Sequence, residues 1–137
     1  MPHVPSSLRR FIEHRAGERC EYCHAPQLLA NSPFHIEHII PISHGGSDDV
    51  TNLALGCPAC NLTKGAQTVV TDSRDDGPIT LYHPRLHRWD EHFVWSDDGV
   101  TLIGRSKIGV ATVVALNMNG LRQRRARPFW RQLGLFP

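Results

Sequence analysis

The chain has 137 residues, 40% of them apolar, and a formal net charge of +2, a composition that predicts one globular domain, residues 1–137, and argues against a disordered protein. No stretch approaches the roughly 20 consecutive apolar residues that a membrane helix requires, and the N-terminus lacks an apolar signal core. We therefore expect a cytoplasmic protein without membrane contact.

In chain order, the first half of the sequence predicts helices and strands around two cysteine pairs. A Pro-Ser-Ser start is typical of a capped helix, and a glycine commonly ends one. The predicted elements are a serine-capped helix from Pro5-Ser6-Ser7 to about Gly17, a knuckle-like turn over 17–26, strands over 34–40 and 52–55, and a short helix over 58–64 that Gly65 ends.

Beyond this region, residues 67–80 are predicted to be a polar connection with a turn at Asp75-Asp76-Gly77-Pro78. Residues 89–103 alternate around Asp97-Asp98-Gly99, which predicts a β-hairpin with Phe93 and Trp95 on one face.

Two helices are predicted at the C-terminus. Ser106 is expected to cap a helix that runs to Leu116 or Met118. An arginine-rich helix follows, and Pro128 is expected to kink or split it because proline lacks the N–H that a helix interior needs.

Five arginines and no acid lie between residues 121 and 131. Arginine suits bidentate contacts with phosphate, so Arg122 and Arg125 are candidate contacts to the phosphates of a nucleic acid. A solvated helix face is an equally open interpretation.

All four cysteines occur in Cys-x-x-Cys pairs, Cys20–Cys23 and Cys57–Cys60. Each pair can hold one edge of a tetrahedral zinc ion, with Zn–S bonds of about 2.3 Å. Two disulfides or a redox motif are the alternatives; a cytoplasmic location disfavours the first, and a redox motif needs only one pair. We expect a structural Zn²⁺ held by all four thiolates.

The segment that includes the second pair resembles the HNH endonucleases. The family pattern combines an acid-His pair, Ile-x-Pro, Gly-Gly, Asn-Leu and Cys-x-x-Cys-Asn-x-x-Lys-Gly. The sequence contains it as Glu37-His38-Ile39-Ile40-Pro41, Gly45-Gly46, Asn52-Leu53 and Cys57-Pro58-Ala59-Cys60-Asn61-Leu62-Thr63-Lys64-Gly65.

This resemblance implies a ββα-metal fold over residues 17–66 and hydrolysis of DNA that leaves a 5′-phosphate and a 3′-hydroxyl. It also implies insertion of the ββα element into the minor groove. The chain departs from the common pattern at one position, because Glu37 stands where the family usually has Asp. The extra methylene leaves both direct and water-mediated metal binding open.

The residue chemistry agrees with a phosphodiesterase. A neutral imidazole can accept a proton from water at physiological pH, so His38 is the candidate general base. Oxygen atoms of Glu37 and Asn61 suit Mg²⁺ or Mn²⁺. Asn52 is expected to hydrogen-bond near His38 and orient the ring. Lys64 could reach a DNA phosphate or could be a solvated lysine.

Adjacent residues of a regular strand face opposite sides of a sheet, so Glu37 and His38 cannot both serve one site from an ideal strand. Either the strand ends or bulges there, or His35 contributes in place of His38. The family resemblance favours the first explanation.

The sequence therefore predicts an α+β protein with a small ββα-metal core stabilised by a four-cysteine zinc site. An N-terminal helix precedes the core, and a hairpin-plus-helices extension, residues 80–137, packs on it. The expected function is a metal-dependent DNA endonuclease, acting as a monomer or weak homodimer. The alternative is a non-catalytic, zinc-stabilised nucleic-acid-binding module.

Overall fold

The computed structural model describes residues 4–71 and 77–137. Its helices and two-stranded sheets form the predicted α+β fold. The helices are α1 (Ser6–Arg15), α2 (Pro58–Lys64), α3 (Trp89–His92), α4 (Lys107–Ala115) and α5 (Leu121–Gln132); the strands are β1 (His35–His38), β2 (Leu53–Gly56), β3 (Val69–Thr71), β4 (Pro78–Thr80), β5 (Phe93–Trp95) and β6 (Leu102–Gly104).

The predicted N-terminal helix is confirmed as α1, but its predicted serine cap is wrong. The helix begins at Ser6, so Pro5 occupies the cap position and no side chain caps the helix. Arg15, at the other end, donates hydrogen bonds to the carbonyl oxygens of Val50 at 2.8 Å and Leu53 at 2.6 Å. These bonds attach α1 to the start of β2.

The centre of the fold is a strand–strand–helix unit. β1 and β2 pair antiparallel, with His35 opposite Gly56 and His38 opposite Leu53. α2 follows β2 at once, because Pro58 suits the first helical position and the Sγ atom of Cys57 accepts the Cys60 N–H at 3.4 Å. Gly65 ends α2 with a positive φ of 53°, as its sequence position predicts.

The first cysteine pair lies on a knuckle that is attached to the outer edge of β2. The Glu21 N–H donates to the Leu55 carbonyl at 2.9 Å, and the Glu21 carboxylate accepts the Leu55 N–H at 2.8 Å. Arg85, from the C-terminal region, pairs with the same carboxylate. The knuckle therefore joins the strand unit to the later part of the chain.

The prediction of a polar connection over 67–80 is wrong in part, because β3 and β4 pair antiparallel within it. Its predicted turn begins at Asp75-Asp76, which lie outside the described residues. Short strands of mixed polarity escape a search for alternating patterns.

The predicted hairpin is confirmed as β5 and β6, which pair between Phe93 and Gly104. Its predicted first residues form the helical turn α3 instead. Phe93 and Trp95 both contact the core, as expected.

The helix predicted after Ser106 is confirmed as α4, which ends at Ala115, one residue before the predicted Leu116. Ser106 caps α4, since its Oγ atom accepts the Gly109 N–H at 2.9 Å. The expectation that Pro128 splits the last helix is wrong, because α5 runs unbroken from Leu121 to Gln132 with Pro128 inside it.

One cluster of buried side chains includes residues of both the predicted core, 17–66, and the predicted extension, 80–137. Leu53 and Leu55 of β2 are fully buried in it, together with Leu116 and Met118 beyond α4. The single-domain organisation stays a prediction, which this shared cluster supports. Within the described residues, no helix combines the length and the apolar character needed to cross a bilayer.

Candidate metal centres and active site

The four cysteines converge as the sequence predicts. Their Sγ atoms all lie within 4.8 Å of one another, and all four side chains are buried and unbridged. Four thiols from two turns at this spacing form the donor set of a tetrahedral structural zinc site. The cluster therefore fits a zinc ion, and its four thiols are unbridged in this structure.

An open cleft of about 420 Å³ lies beside β1 and α2. Its lining contains the predicted base and both predicted ligands of the hard cation: His38, Glu37 and Asn61. His35 lines the same cleft. β1 ends at His38, and its pairing with β2 contains no bulge. Because the regular strand stops there, Glu37 and His38 can both line the same cleft although they are adjacent.

Glu37 and Asn61 face each other across Gly56. A Cβ atom on Gly56 would lie 3.9 Å from Cγ of Glu37 and 3.8 Å from Cβ of Asn61. The Asn61 side chain makes no hydrogen bond to another described residue, so its carboxamide oxygen is available. These oxygen donors fit Mg²⁺ or Mn²⁺, the class of ion that the resemblance implies.

The Glu37 carboxylate is buried, with 7% of the residue exposed, and it has two polar neighbours. The Tyr22 hydroxyl donates a hydrogen bond to Oε1, and Nζ of Lys64 lies 3.7 Å from Oε2. Burial raises the pKa of Glu37 to about 7, while the Lys64 ammonium and the Tyr22 hydrogen bond oppose that rise.

Lys64 is buried beside Glu37, which corrects its interpretation as a solvated lysine; its contact with a DNA phosphate stays a prediction. Only 2% of the residue is exposed, and Nζ donates a hydrogen bond of 2.9 Å to the Ile39 carbonyl. A buried ammonium requires a counter-charge, and Glu37 supplies it. The sequence suggested an exposed lysine because position 64 lies in the last turn of a short helix.

The partner of His38 is Asp48, which the sequence analysis missed. Nε2 of His38 lies 2.7 Å from Oδ1 of Asp48. His38 is 13% exposed and Asp48 is 75% exposed at the level of the side chain. Asp48 lies ten residues after His38 in a Gly-Ser-Asp-Asp loop, where an acid is normally interpreted as solvated.

Asn52 hydrogen-bonds to the backbone of Ile40, two residues after His38, and not to the His38 ring. Its Oδ1 accepts the Ile40 N–H at 2.9 Å, and its Nδ2 donates to the carbonyls of Ile40 at 2.9 Å and Ser47 at 2.8 Å. None of these bonds reaches His38. Asn52 therefore holds the loop that carries Asp48, and any effect on the ring is indirect.

Arg122 and Arg125 are exposed on α5. Their exposure is compatible with both interpretations of the arginine run, a phosphate-binding face and a solvated face. Arg122 lines a groove beside the cysteine knuckle, together with Pro26, Pro58 and Trp130. Arg127 of the same helix is instead buried, and its guanidinium donates to the carbonyls of Val100 and Met118. The arginine run therefore divides into exposed and structural members.

Residues 20–67 match the family model described as HNH endonuclease. The match covers about a third of the chain and includes the four cysteines and the residues of the cleft. No curated protein and no solved structure matches the chain.

We predict that Cys57→Ser lowers both bound zinc and thermal stability, because the buried cluster loses one thiolate. Zinc content is measured by atomic emission and the melting temperature by calorimetry. Leu62→Ser, on the exposed side of α2, is the control and should retain one zinc. Unchanged zinc content in Cys57→Ser would contradict the four-thiolate site.

We predict that Lys64→Met destabilises the protein by on the order of 3 kcal/mol at about pH 9, above the Glu37 pKa of about 7, because it keeps the aliphatic stem but leaves an ionised Glu37 buried without its counter-charge. Denaturant unfolding measures the change, and Thr63→Ala on the same helix should alter stability by less than about 0.5 kcal/mol. A Lys64→Met variant with full stability and weakened DNA binding would restore the phosphate-contact interpretation.

Proposed function

We propose that the chain is a metal-dependent DNA endonuclease of the HNH type, which hydrolyses phosphodiester bonds. The observation that carries this proposal is one cleft lined by an imidazole, a carboxylate and a free carboxamide. A scaffold or a nucleic-acid-binding module has no need of this combination. The HNH domain over residues 20–67 supports the same conclusion.

His38 acts as the general base in this proposal. Its Nε2 atom is engaged by Asp48, while Nδ1 has no hydrogen-bond partner among the described residues. A free imidazole nitrogen at an open cleft can accept a proton from water as the water oxygen attacks phosphorus. The cleft, of about 420 Å³, is large enough to admit a phosphate group together with that water.

Glu37 and Asn61 would hold Mg²⁺ or Mn²⁺, the ions that suit a small set of hard oxygen donors. When bound, such an ion neutralises a non-bridging phosphate oxygen and stabilises the departing oxygen. Tyr22 and Lys64 restrict the Glu37 carboxylate to one position at the base of the cleft. Asn61 lies on α2, which has Cys57 as its N-cap residue and Cys60 in its first turn.

Zinc has a structural role in this proposal. All four cysteine ligands are buried, which leaves little space for substrate at the ion. The thiolates hold the knuckle against the start of α2, so the sulfur site supports Tyr22 and Asn61, which both lie beside Glu37.

We predict that the protein nicks supercoiled plasmid with Mg²⁺ or Mn²⁺ and that EDTA abolishes the reaction. His38→Ala should lower the rate by at least about 100-fold, because it removes the base. Asn61→Ala should lower activity comparably while leaving the melting temperature nearly unchanged.

His44→Ala is the matched control for the base, because His44 is an exposed histidine of the neighbouring loop. It should cleave at the wild-type rate. If His38→Ala nicked normally, the assigned base would be wrong. If the wild type bound DNA but never cleaved it with any metal, the non-catalytic binding module would be the better interpretation.

We also propose that Arg122 and Arg125 contact DNA phosphates. The double variant Arg122→Ala/Arg125→Ala should weaken binding to all sequences alike and reduce the slope of log K against log salt by about 0.9 for each phosphate that is no longer neutralised. Arg88→Ala, at an exposed arginine outside α5, is the control for net charge. If each arginine removed from α5 weakened DNA binding only as much as the loss of Arg88 does, α5 would present a solvated face and not a phosphate-binding one.

A further inference from the structure

We propose that Asp48 is the positioning residue for His38: it selects the tautomer in which Nδ1 carries the lone pair that accepts the proton from water. This inference rests on the proposed function, since it assigns how the general base is prepared. It transfers to Asp48 the orienting role that the sequence suggested for Asn52.

The contact itself defines the tautomer. Nε2 of His38 and Oδ1 of Asp48 lie 2.7 Å apart, a normal length for a charge-assisted hydrogen bond. An ionised carboxylate can only accept a hydrogen bond, so the proton of the neutral ring lies on Nε2. Nδ1 is then the unprotonated nitrogen, and it has no partner among the described residues.

The loop holds Asp48 in place although its side chain is exposed. On one side, the Ser47 carbonyl accepts the Asn52 carboxamide at 2.8 Å. On the other, the Asp49 carbonyl accepts the Asn52 N–H at 2.8 Å, and the Asp49 N–H donates to Oγ of Ser47 at 3.2 Å. The backbone of Asp48 is therefore fixed from both directions.

Gly46 brings this loop close to the strand that carries His38. A Cβ atom at Gly46 would lie 1.8 Å from the Ile40 carbonyl oxygen, far inside van der Waals contact, so only glycine permits the approach. Asn52 bridges the same two segments through Ile40 and Ser47. The close approach places Asp48 against a ring that lies ten residues earlier in the chain.

The chemical consequence concerns one proton. As water attacks phosphorus, its proton moves to Nδ1 and the ring becomes an imidazolium, while the proton already on Nε2 stays there. The bond from phosphorus to the 3′ oxygen breaks, and this departing oxygen takes a proton from solvent water to become the 3′-hydroxyl. The Asp48 carboxylate stabilises the positive charge that develops on the ring, and no bond within Asp48 forms or breaks. An Asp that orients a histidine and stabilises its protonated form in this way lowers the activation barrier of hydrolysis without contacting the substrate.

The test compares Asp48→Ala with Asp49→Ala in the full-length, zinc-loaded chain. The two variants remove the same charge from the same loop, but the Asp49 side chain caps no helix and has no partner among the described residues. Plasmid nicking with Mn²⁺ gives kcat and KM. Long-range ¹H–¹⁵N correlation spectra at about pH 8, above the ordinary histidine pKa of about 6.5, report the His38 tautomer, which the His38→Ala spectrum identifies.

We expect wild type and Asp49→Ala to show His38 with its proton on Nε2. Asp48→Ala should show a mixture of tautomers and a kcat about 10- to 100-fold lower, with KM changed less than about twofold. An Asp48→Ala variant that keeps the wild-type tautomer, or whose kcat equals that of Asp49→Ala, would overturn the inference.

The same data separate this inference from the proposed function. If His38→Ala loses activity but Asp48→Ala does not, His38 remains the base and only the role of Asp48 is wrong. If His38→Ala retains activity, the base assignment fails, and the role of Asp48 fails with it.

Discussion

The burial of Glu37 is the constraint on which the arrangement of the candidate site depends. A carboxylate that is 7% exposed is costly unless its environment compensates the charge. Tyr22 donates one hydrogen bond to it, and Lys64 places an ammonium 3.7 Å away. Each of these partners is itself almost fully buried, so the three side chains must be satisfied together.

This requirement links the sulfur site to the cleft. Tyr22 lies between the two cysteines of the first pair, and Asn61 follows the last cysteine of the second. Lys64 lies one turn after Asn61 and bonds to the Ile39 carbonyl, just beyond the end of β1. The four-cysteine cluster therefore does more than hold the ends of the strand–strand–helix unit together, because Tyr22 and Asn61, which adjoin its cysteines in the sequence, both lie beside Glu37.

The loop between the strands makes a second, independent contribution. Asn52 holds its two sides together with three hydrogen bonds, and Gly46 permits a contact that no larger residue would allow. His38 and Asp48 meet only because this loop folds back on the strand. The cleft thus combines a rigid, buried carboxylate with a histidine whose partner comes from an exposed loop.

The sequence by itself determined the local elements and the ligand types. Pro58 and Gly65 mark the limits of α2, Ser106 caps α4, and the Cys-x-x-Cys spacing predicts the thiolate cluster, because each of these signals acts within a few residues. It also identified His38, Glu37 and Asn61, whose chemistry is recognisable from residue type and order. Tertiary structure decided the burial of Lys64, the contact of Asp48 with His38 and the hydrogen bond from Tyr22 to Glu37. It also divided the arginines of α5 into buried and exposed members. Burial and long-range hydrogen bonds depend on which segments meet in space, and residues such as Tyr22 and Glu37 carry no local signal that they will touch.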